Sequence, residues 1–394
     1  MTGTTGVHKA APTGTGPVRI RLGMSAGLDA GAREREGEAS ALAGNGGSAH
    51  NTEVANDGKE TSPKLRMIPC PGCGAKLFLP SDLPPLSTTP CTKCETPVMM
   101  PMQLRQFELR AEIASGGMGT VYRAFDTTLQ REVAVKLMKR DLAEDEEALD
   151  AFYREARACA QLNHTNIIHI YTFDELDGQL YLVMELADRG SLDSWIEQGP
   201  VPELDVLDVG IKIASALDCA LKKGLLHRDI KPGNILFNAE NEPKLVDFGL
   251  AQATDARNEP TDDAVWGTPY YIAPEKIRRE GESFLSDMYS LAGTLYHALT
   301  QHVPFEAPTI EEVVAAHVHT PLTPPDQVVP GISPDTCEAI MIAMAKDPAD
   351  RYQSYEEFRM ALEAARSKYL VNHFVRQRPS AKAKSTRRRG WFRR

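Results

Sequence analysis

The period of apolar and polar positions changes along the chain, and the changes divide it. Alternation with a period of two predicts strands over Phe107–Ile113, Thr120–Phe125 and Glu132–Met138. Over Glu146–Leu162 the spacing becomes helical, with Phe152, Ala156, Cys159 and Leu162 on one face. Ile167–Phe173 and Leu180–Leu186 are strand-like again, and after Gly190 the pattern is mostly helical. Strands first and helices later predict an α+β fold of two lobes, one β-rich and one helical. No internal repeat is present.

Composition changes this picture only at the ends. Residues 1–66 are rich in Gly, Ala, Thr and Ser and poor in aromatics, which predicts a disordered tail that cannot bury enough apolar surface to offset its chain entropy. Within it, Val18–Leu22 alternates for five residues, too short a run to count as an element. The formal net charge of −10 is uneven: Phe374 to Arg394 holds nine Lys or Arg and no acid, which leaves −19 on the rest. No secretory pattern and no apolar run of spanning length is seen, so the expectation is a cytoplasmic protein. The expected division is a tail over 1–66, a cysteine-bearing unit over 67–100, a large domain over 107–370 and a basic tail over 371–394.

Several motifs carry chemistry. Ala114-Ser115-Gly116-Gly117-Met118-Gly119 joins two strand-like runs; glycines there let a backbone approach phosphates, although a plain hairpin turn gives the same pattern. Val133-Ala134-Val135-Lys136 places a lysine at the end of an apolar strand, where an unpaired ammonium is costly, and Glu155 on the following helix is its expected partner. His227-Arg228-Asp229-Ile230-Lys231-Pro232-Gly233-Asn234 reads as a loop. Lys244-Leu245-Val246-Asp247-Phe248-Gly249 ends a strand with an acid, and Ala273-Pro274-Glu275 follows. Each pattern alone is weak; all of them in this order are specific.

Together these residues resemble the Hanks-type serine/threonine protein kinases of bacteria over about 107–370. The resemblance implies a bilobal kinase fold, ATP and Mg2+. It implies that Ala114, Gly116, Gly117 and Gly119 cover the nucleotide phosphates, and that Lys136, paired with Glu155, holds the α- and β-phosphates. Val121, Ala134 and Leu236 would sandwich the adenine, with Met184 behind it and the backbone of Glu185 and Ala187 at its edge. Asn234 and Asp247 would bind magnesium, Asp229 would be the base, and Lys231 would neutralise the γ-phosphate. Asp287 would anchor the catalytic loop and Glu275 would pair with Arg351. Cys159, Ile170, His227 and Phe248 would form an internal column. Lys231 and Thr268 fit serine/threonine substrates. Arg228 would dock an activation-loop phosphate, with Thr254 and Thr261 as acceptors and Asp262 or Asp263 as a partial substitute. The departure is Ala114, where the family has its first loop glycine; alanine is tolerated there if φ stays negative.

Two segments lie outside that resemblance. Cys70-x-x-Cys73, 17 residues, then Cys91-x-x-Cys94 fits four-thiolate zinc spacing and resembles a zinc ribbon, with a redox pair or an iron–sulfur cluster as rivals. The unit is too small to fold without a staple. The basic end, with Trp391 and Phe392, suits an anionic membrane surface or an acidic partner, and nucleic acid less well. Such an end would place the protein peripherally at a membrane. A homodimer is compatible with the sequence. A pseudokinase scaffold is the alternative function, opposed by the intact Lys136, Asp229, Asn234 and Asp247.

Overall fold

The computed structural model describes residues 64–116, 119–139, 153, 156–248 and 269–377, with side chains to 373. Two antiparallel hairpins come first. β1 (Leu65–Pro69) pairs with β2 (Lys76–Pro80), and β3 (Thr88–Pro90) with β4 (Pro97–Met99). Ile68, Leu77, Leu79, Val98 and Met100 pack around Cys70 and Cys91 in a small core. β1 starts at Leu65, so Leu65 and Arg66 belong to this unit rather than to a tail ending at 66.

The unit is not a bead on a string. After Pro101 the chain enters β5 (Met102–Leu104), which is the first strand of the main sheet. Met99 packs with Leu104, Phe107 and Leu109, and Leu86 leans on the same cluster. An ion pair from Arg66 to Glu108 spans the two parts. Burying side chains of this size contributes about 1.5–3 kcal/mol each before entropy is counted.

The main sheet continues through β6 (Phe107–Ser115), β7 (Gly119–Asp126), β8 (Arg131–Met138), β9 (Ile170–Leu176) and β10 (Gln179–Met184), in the antiparallel order β5-β6-β7-β8-β10-β9. The first three predicted strands fall within β6, β7 and β8. The predicted Ile167–Phe173 strand enters the sheet only at Ile170, because Asn166 and Ile168 bond instead to Leu245. β10 stops at Met184, and the Glu185 amide donates to the His169 carbonyl at 2.8 Å. Of the predicted Glu146–Leu162 helix, residues 153 and 156–162 are described; 153 and 156–160 are helical, and the helix ends before Gln161 and Leu162.

Helices follow: α1 (Leu192–Gln198), α2 (Glu203–Leu221), α3 (Pro274–Ile277), α4 (Phe284–Thr300), α5 (Ile310–His319), α6 (Pro325–Val328), α7 (Pro334–Ala343) and α8 (Tyr355–Gln377). Between α2 and α3 a short hairpin joins β11 (Ile235–Phe237) to β12 (Pro243–Leu245). α4 is apolar nearly all round and sits in the middle of the helical lobe, started by a capping box from Ser283 and Ser286. Gly210 on α2 lets the helices close up, since a Cβ there would lie 2.7 Å from Leu295 on α4 and 3.0 Å from Leu362 on α8. α8 runs to Gln377, so the predicted tail boundary at 371 falls inside a helix.

Candidate functional site

The catalytic-loop motif is held from below by α4. Asp287, buried in its first turn, accepts from the His227 amide and the Arg228 amide, each at 2.7 Å. Burial pushes its carboxyl up, and the His227 side chain and these two amides oppose that shift. Arg228 itself takes φ 70°, a left-handed conformation that a non-glycine residue holds only when its surroundings fix it. His227 is fully buried and bonds the Val246 carbonyl through Nε2 at 2.9 Å, and burial lowers its pKa.

The loop then presents three polar side chains to one another. Asp229 Oδ2 accepts from Lys231 Nζ at 2.8 Å and from Asn234 Nδ2 at 3.0 Å, and Asn234 Nδ2 also donates to the Asp229 carbonyl at 2.7 Å. Among the described residues nothing hydrogen-bonds to Oδ1 of Asp229. The Asn234 amide nitrogen is engaged, so its side-chain oxygen is the atom left to meet a cation.

β8 and β12 bring the other charges. Lys136 Nζ lies 2.8 Å from Asp247 Oδ1; the lysine side chain is 7% exposed and the aspartate 44%. Asp247 also takes a left-handed φ, 57°. Its half-exposed carboxylate suits a hard, oxygen-seeking dication such as Mg2+. Glu155, the expected partner of Lys136, lies outside the described residues, as do Gly117, Thr254, Thr261 and Thr268.

Above the cleft, β6 and β7 form the glycine-loop hairpin. Ala114 pairs with Val121 in the ladder and has no positive φ, so alanine fits without strain. Gly116 donates to the Gly119 carbonyl at 2.9 Å and has open space where a Cβ would stand. Gly119 is needed for packing, because a Cβ would lie 2.0 Å from the Leu137 carbonyl oxygen on β8.

The expected adenine residues meet in one apolar cluster. Ala134, Met184 and Ala187 are buried together with Val246, and Val121 and Leu236 pack against them. Met184 is the ladder partner of Ala134. The Ala187 amide bonds nothing among the described residues.

Of the internal column implied by the kinase resemblance, Cys159, Phe248 and His227 are in contact, and the implied large-lobe ion pair forms. The Phe248 ring packs against His227, tilted by 55° with centroids 4.7 Å apart, and Cys159 Sγ lies 3.9 Å from the Phe248 carbonyl oxygen. Arg351 binds Glu275 with two bonds, of 2.7 and 2.8 Å.

Sequence reading missed the surroundings of Arg228. Its Nε lies 3.5 Å from Glu282, and the same carboxylate holds Lys276 at 3.0 Å. Lys276 also donates to the Arg228 carbonyl at 3.3 Å. No periodic pattern marks these residues; the adjacency of Lys276 to the Ala-Pro-Glu motif is the one available signal.

The four cysteines converge as the spacing predicted. All four Sγ atoms lie within 4.8 Å of one another, with Cys70–Cys94 at 3.6 Å and Cys73–Cys91 at 3.7 Å. A tetrahedral Zn–S bond of about 2.3 Å requires sulfurs about 3.8 Å apart. The two knuckles repeat one design. Cys70 and Cys91 each donate to the carbonyl five residues on, Ala75 at 2.8 Å and Thr96 at 2.9 Å. Gly74 and Glu95 each bond back at 2.9 Å with φ of 69° and 61°. Hydrogen bonding to the Thr96 side chain and amide holds the Cys94 thiol down to about 6. The Ala75 amide pulls Cys73 the same way, but its thiol neighbours and burial push it up to about 12. Four thiols this close do not ionise together without a cation between them.

Three comparisons bear on this geometry. The protein kinase domain model matches residues 107–370. Serine/threonine-protein kinase PknL of Mycobacterium tuberculosis is 35% identical over 270 residues, 68% of this chain and 68% of that one. PknB of Mycobacterium leprae is 37% identical over 263 residues, 65% of this chain and 42% of its own length. The chain spans from 37% to 68% of the length of such relatives. Among solved structures, the PknI kinase domain of Mycobacterium tuberculosis superposes with a TM-score of 0.53 at 25% identity, covering 67% of this chain and 97% of that one.

Proposed function

The chain belongs to the protein kinase domain family, and from that premise we propose that it is an active serine/threonine kinase which transfers the γ-phosphate of ATP to protein hydroxyls. The observation that carries this is the convergence of Asp229, Lys231 and Asn234 opposite the Lys136–Asp247 pair. A scaffold without catalysis has no need to keep all five.

In this reading Asp229 takes the substrate proton and aims the hydroxyl, with Lys231 and Asn234 fixing one carboxylate oxygen so that the other faces the substrate. A positioned base contributes on the order of 10²–10⁴-fold. Lys136 turns from Asp247 toward the α- and β-phosphates, where Glu155 supports it. Asp247 and the Asn234 oxygen hold magnesium, which supplies charge neutralisation on the phosphates. Val121, Ala134 and Leu236 close on the adenine, Met184 stands behind it, and the Glu185 carbonyl and Ala187 amide meet its edge. Ala114, Gly116, Gly117 and Gly119 cover the phosphates.

Control runs through Arg228. Thr261, and second Thr254, are the acceptors, and Thr268 goes with serine/threonine substrates. Zinc in the Cys70, Cys73, Cys91 and Cys94 cluster is structural, since four thiolates leave no open position. The basic end at 374–394 serves an anionic membrane surface or an acidic partner; deleting it and repeating co-sedimentation with anionic vesicles separates that role from a solvated tail. Among the described residues no helix is long and apolar enough to cross a membrane.

The decisive experiment incubates purified protein with Mg2+–ATP, alongside Asp229→Asn, and maps phosphosites by mass spectrometry. We expect phosphate on Thr261 in the wild type and none in the variant, with one zinc per chain in both. Equal turnover in the two proteins would refute the assignment.

A further inference from the structure

Among the described residues, two lysines are buried. One is Lys136; the other is Lys244 in β12, which the mechanism above does not use. Lys244 Nζ lies 2.6 Å from Glu185 Oε1, and their side chains are 9% and 21% exposed. The second Glu185 oxygen accepts from the His169 amide at 3.3 Å, and the Glu185 amide returns a bond to the His169 carbonyl. Glu185 is therefore clamped through its backbone and through both carboxylate oxygens.

The position of Lys244 gives this clamp a purpose. Lys244 is the ladder partner of Leu236, the expected floor under the adenine. Glu185 belongs to the connecting segment after β10 and carries the carbonyl expected at the adenine edge. One ion pair thus ties the residue that meets the face of the base to the residue that meets its edge. A methionine would fill the site of Lys244 without the several-kcal/mol desolvation of a buried ammonium. The ammonium orients; it does not merely pack.

We infer that Lys244, acting through the Glu185 carboxylate, is a positioning residue that sets nucleotide choice by holding the Glu185 carbonyl where it accepts a 6-amino group. It touches no reacting atom. The inference rests on the adenine-site reading above and adds the source of discrimination between 6-amino and 6-oxo purines. A 6-oxo purine turns an acceptor toward the same carbonyl and loses that bond.

The test titrates the full chain with ATP and with inosine triphosphate, by calorimetry and by steady-state kinetics, for wild type, Lys244→Met and Lys244→Arg. Wild type should prefer ATP. In Lys244→Met, Kd and KM for ATP should rise about five- to tenfold, kcat should move less than about twofold, and the preference should fall by a similar factor, as expected for one misplaced hydrogen bond. Lys244→Arg should restore most of it. An unchanged ATP preference in Lys244→Met, with only a lower melting temperature, overturns the inference and makes the pair purely structural. A change in kcat at constant KM overturns it too, because the tie would then act on lobe motion. A wild type that binds both nucleotides equally defeats the adenine-site reading itself. The calorimetric arm decides even where turnover is low.

Discussion

Two ion pairs in this molecule use the same chemistry and are closed to different degrees. Arg351 and Glu275 are 0% and 6% exposed, joined by two bonds. Ser286 also donates to Glu275 at 2.8 Å, and Arg351 reaches the Ala345 and Leu285 carbonyls, each at 2.8 Å. Every polar atom is satisfied, and nothing can enter. Lys136 and Asp247 share one bond, and nearly half of the aspartate surface is open. The first pair ends in itself. In the proposed function the second is half of a site, with a buried donor whose acceptor is left reachable by another cation. Closure, rather than distance, separates the structural pair from the one proposed to be functional.

The strongest way to break this comparison is to remove one arginine. Arg351→Ala leaves a carboxylate buried among apolar groups, and losing one member of such a pair costs about 3–5 kcal/mol. Denaturant unfolding should show that loss, and ATP affinity in the remaining folded protein should stay near wild type. The double change Arg351→Met with Glu275→Leu should recover most of the stability, because no unpaired charge remains. A single variant as stable as wild type would show that the pair is not closed as described.

Lys136→Met gives the mirror image. Asp247 is open enough to be hydrated, so stability should move by less than about 1 kcal/mol. Turnover should fall by at least about 10²–10³-fold, the usual cost of losing one preorganised charge at a transition state. Phosphate incorporation and unfolding, measured on one preparation, read both. A large loss of stability with turnover intact would place this pair in the structural class.

The two pairs were unequally legible in the sequence. The roles of both pairs, and of Asp287 at the catalytic loop, were implied by the resemblance to the kinase family, which the ordered motifs around Lys136, Asp247 and Glu275 carry. The Lys136–Asp247 contact itself was not foreseen, because Glu155 offered a nearer partner along the chain. Nor was the Lys244–Glu185 pair, whose members are 59 residues apart and carry no periodic mark. The same holds for the fusion of the cysteine unit to the sheet: Met99 and Leu86 lie within the 67–100 unit, yet they pack with the cluster of Leu104 and Phe107. The cysteine geometry was legible because four ligands at fixed spacing leave few ways to converge. Side-chain pairing between distant segments is set by three-dimensional packing, which a one-dimensional pattern does not encode.

Acid sharpens the comparison last and least. Burial pushes the Glu275 carboxyl up, but Arg351 and Ser286 outweigh it, so the folded pKa lies below the ordinary 4.5. An unfolded chain therefore binds the proton first as pH falls below that value. The stability that ionised Glu275 contributes is complete above 4.5 and is lost as pH drops through the folded pKa. Asp287 has the opposite sign. Its folded pKa is raised above 3.8, chiefly by burial, so the folded state takes the proton first and stability from that group rises as pH falls through the window above 3.8. The two partly cancel in the wild type, and a variant is needed to separate them. The stability difference between wild type and Glu275→Gln, followed by denaturant unfolding from pH 7 to pH 3.5, should hold steady down to about 4.5 and then shrink. A difference that stays constant over the whole range would mean that Arg351 does not hold the carboxylate ionised in the folded protein, and the closed pair would have to be redrawn as a neutral hydrogen bond.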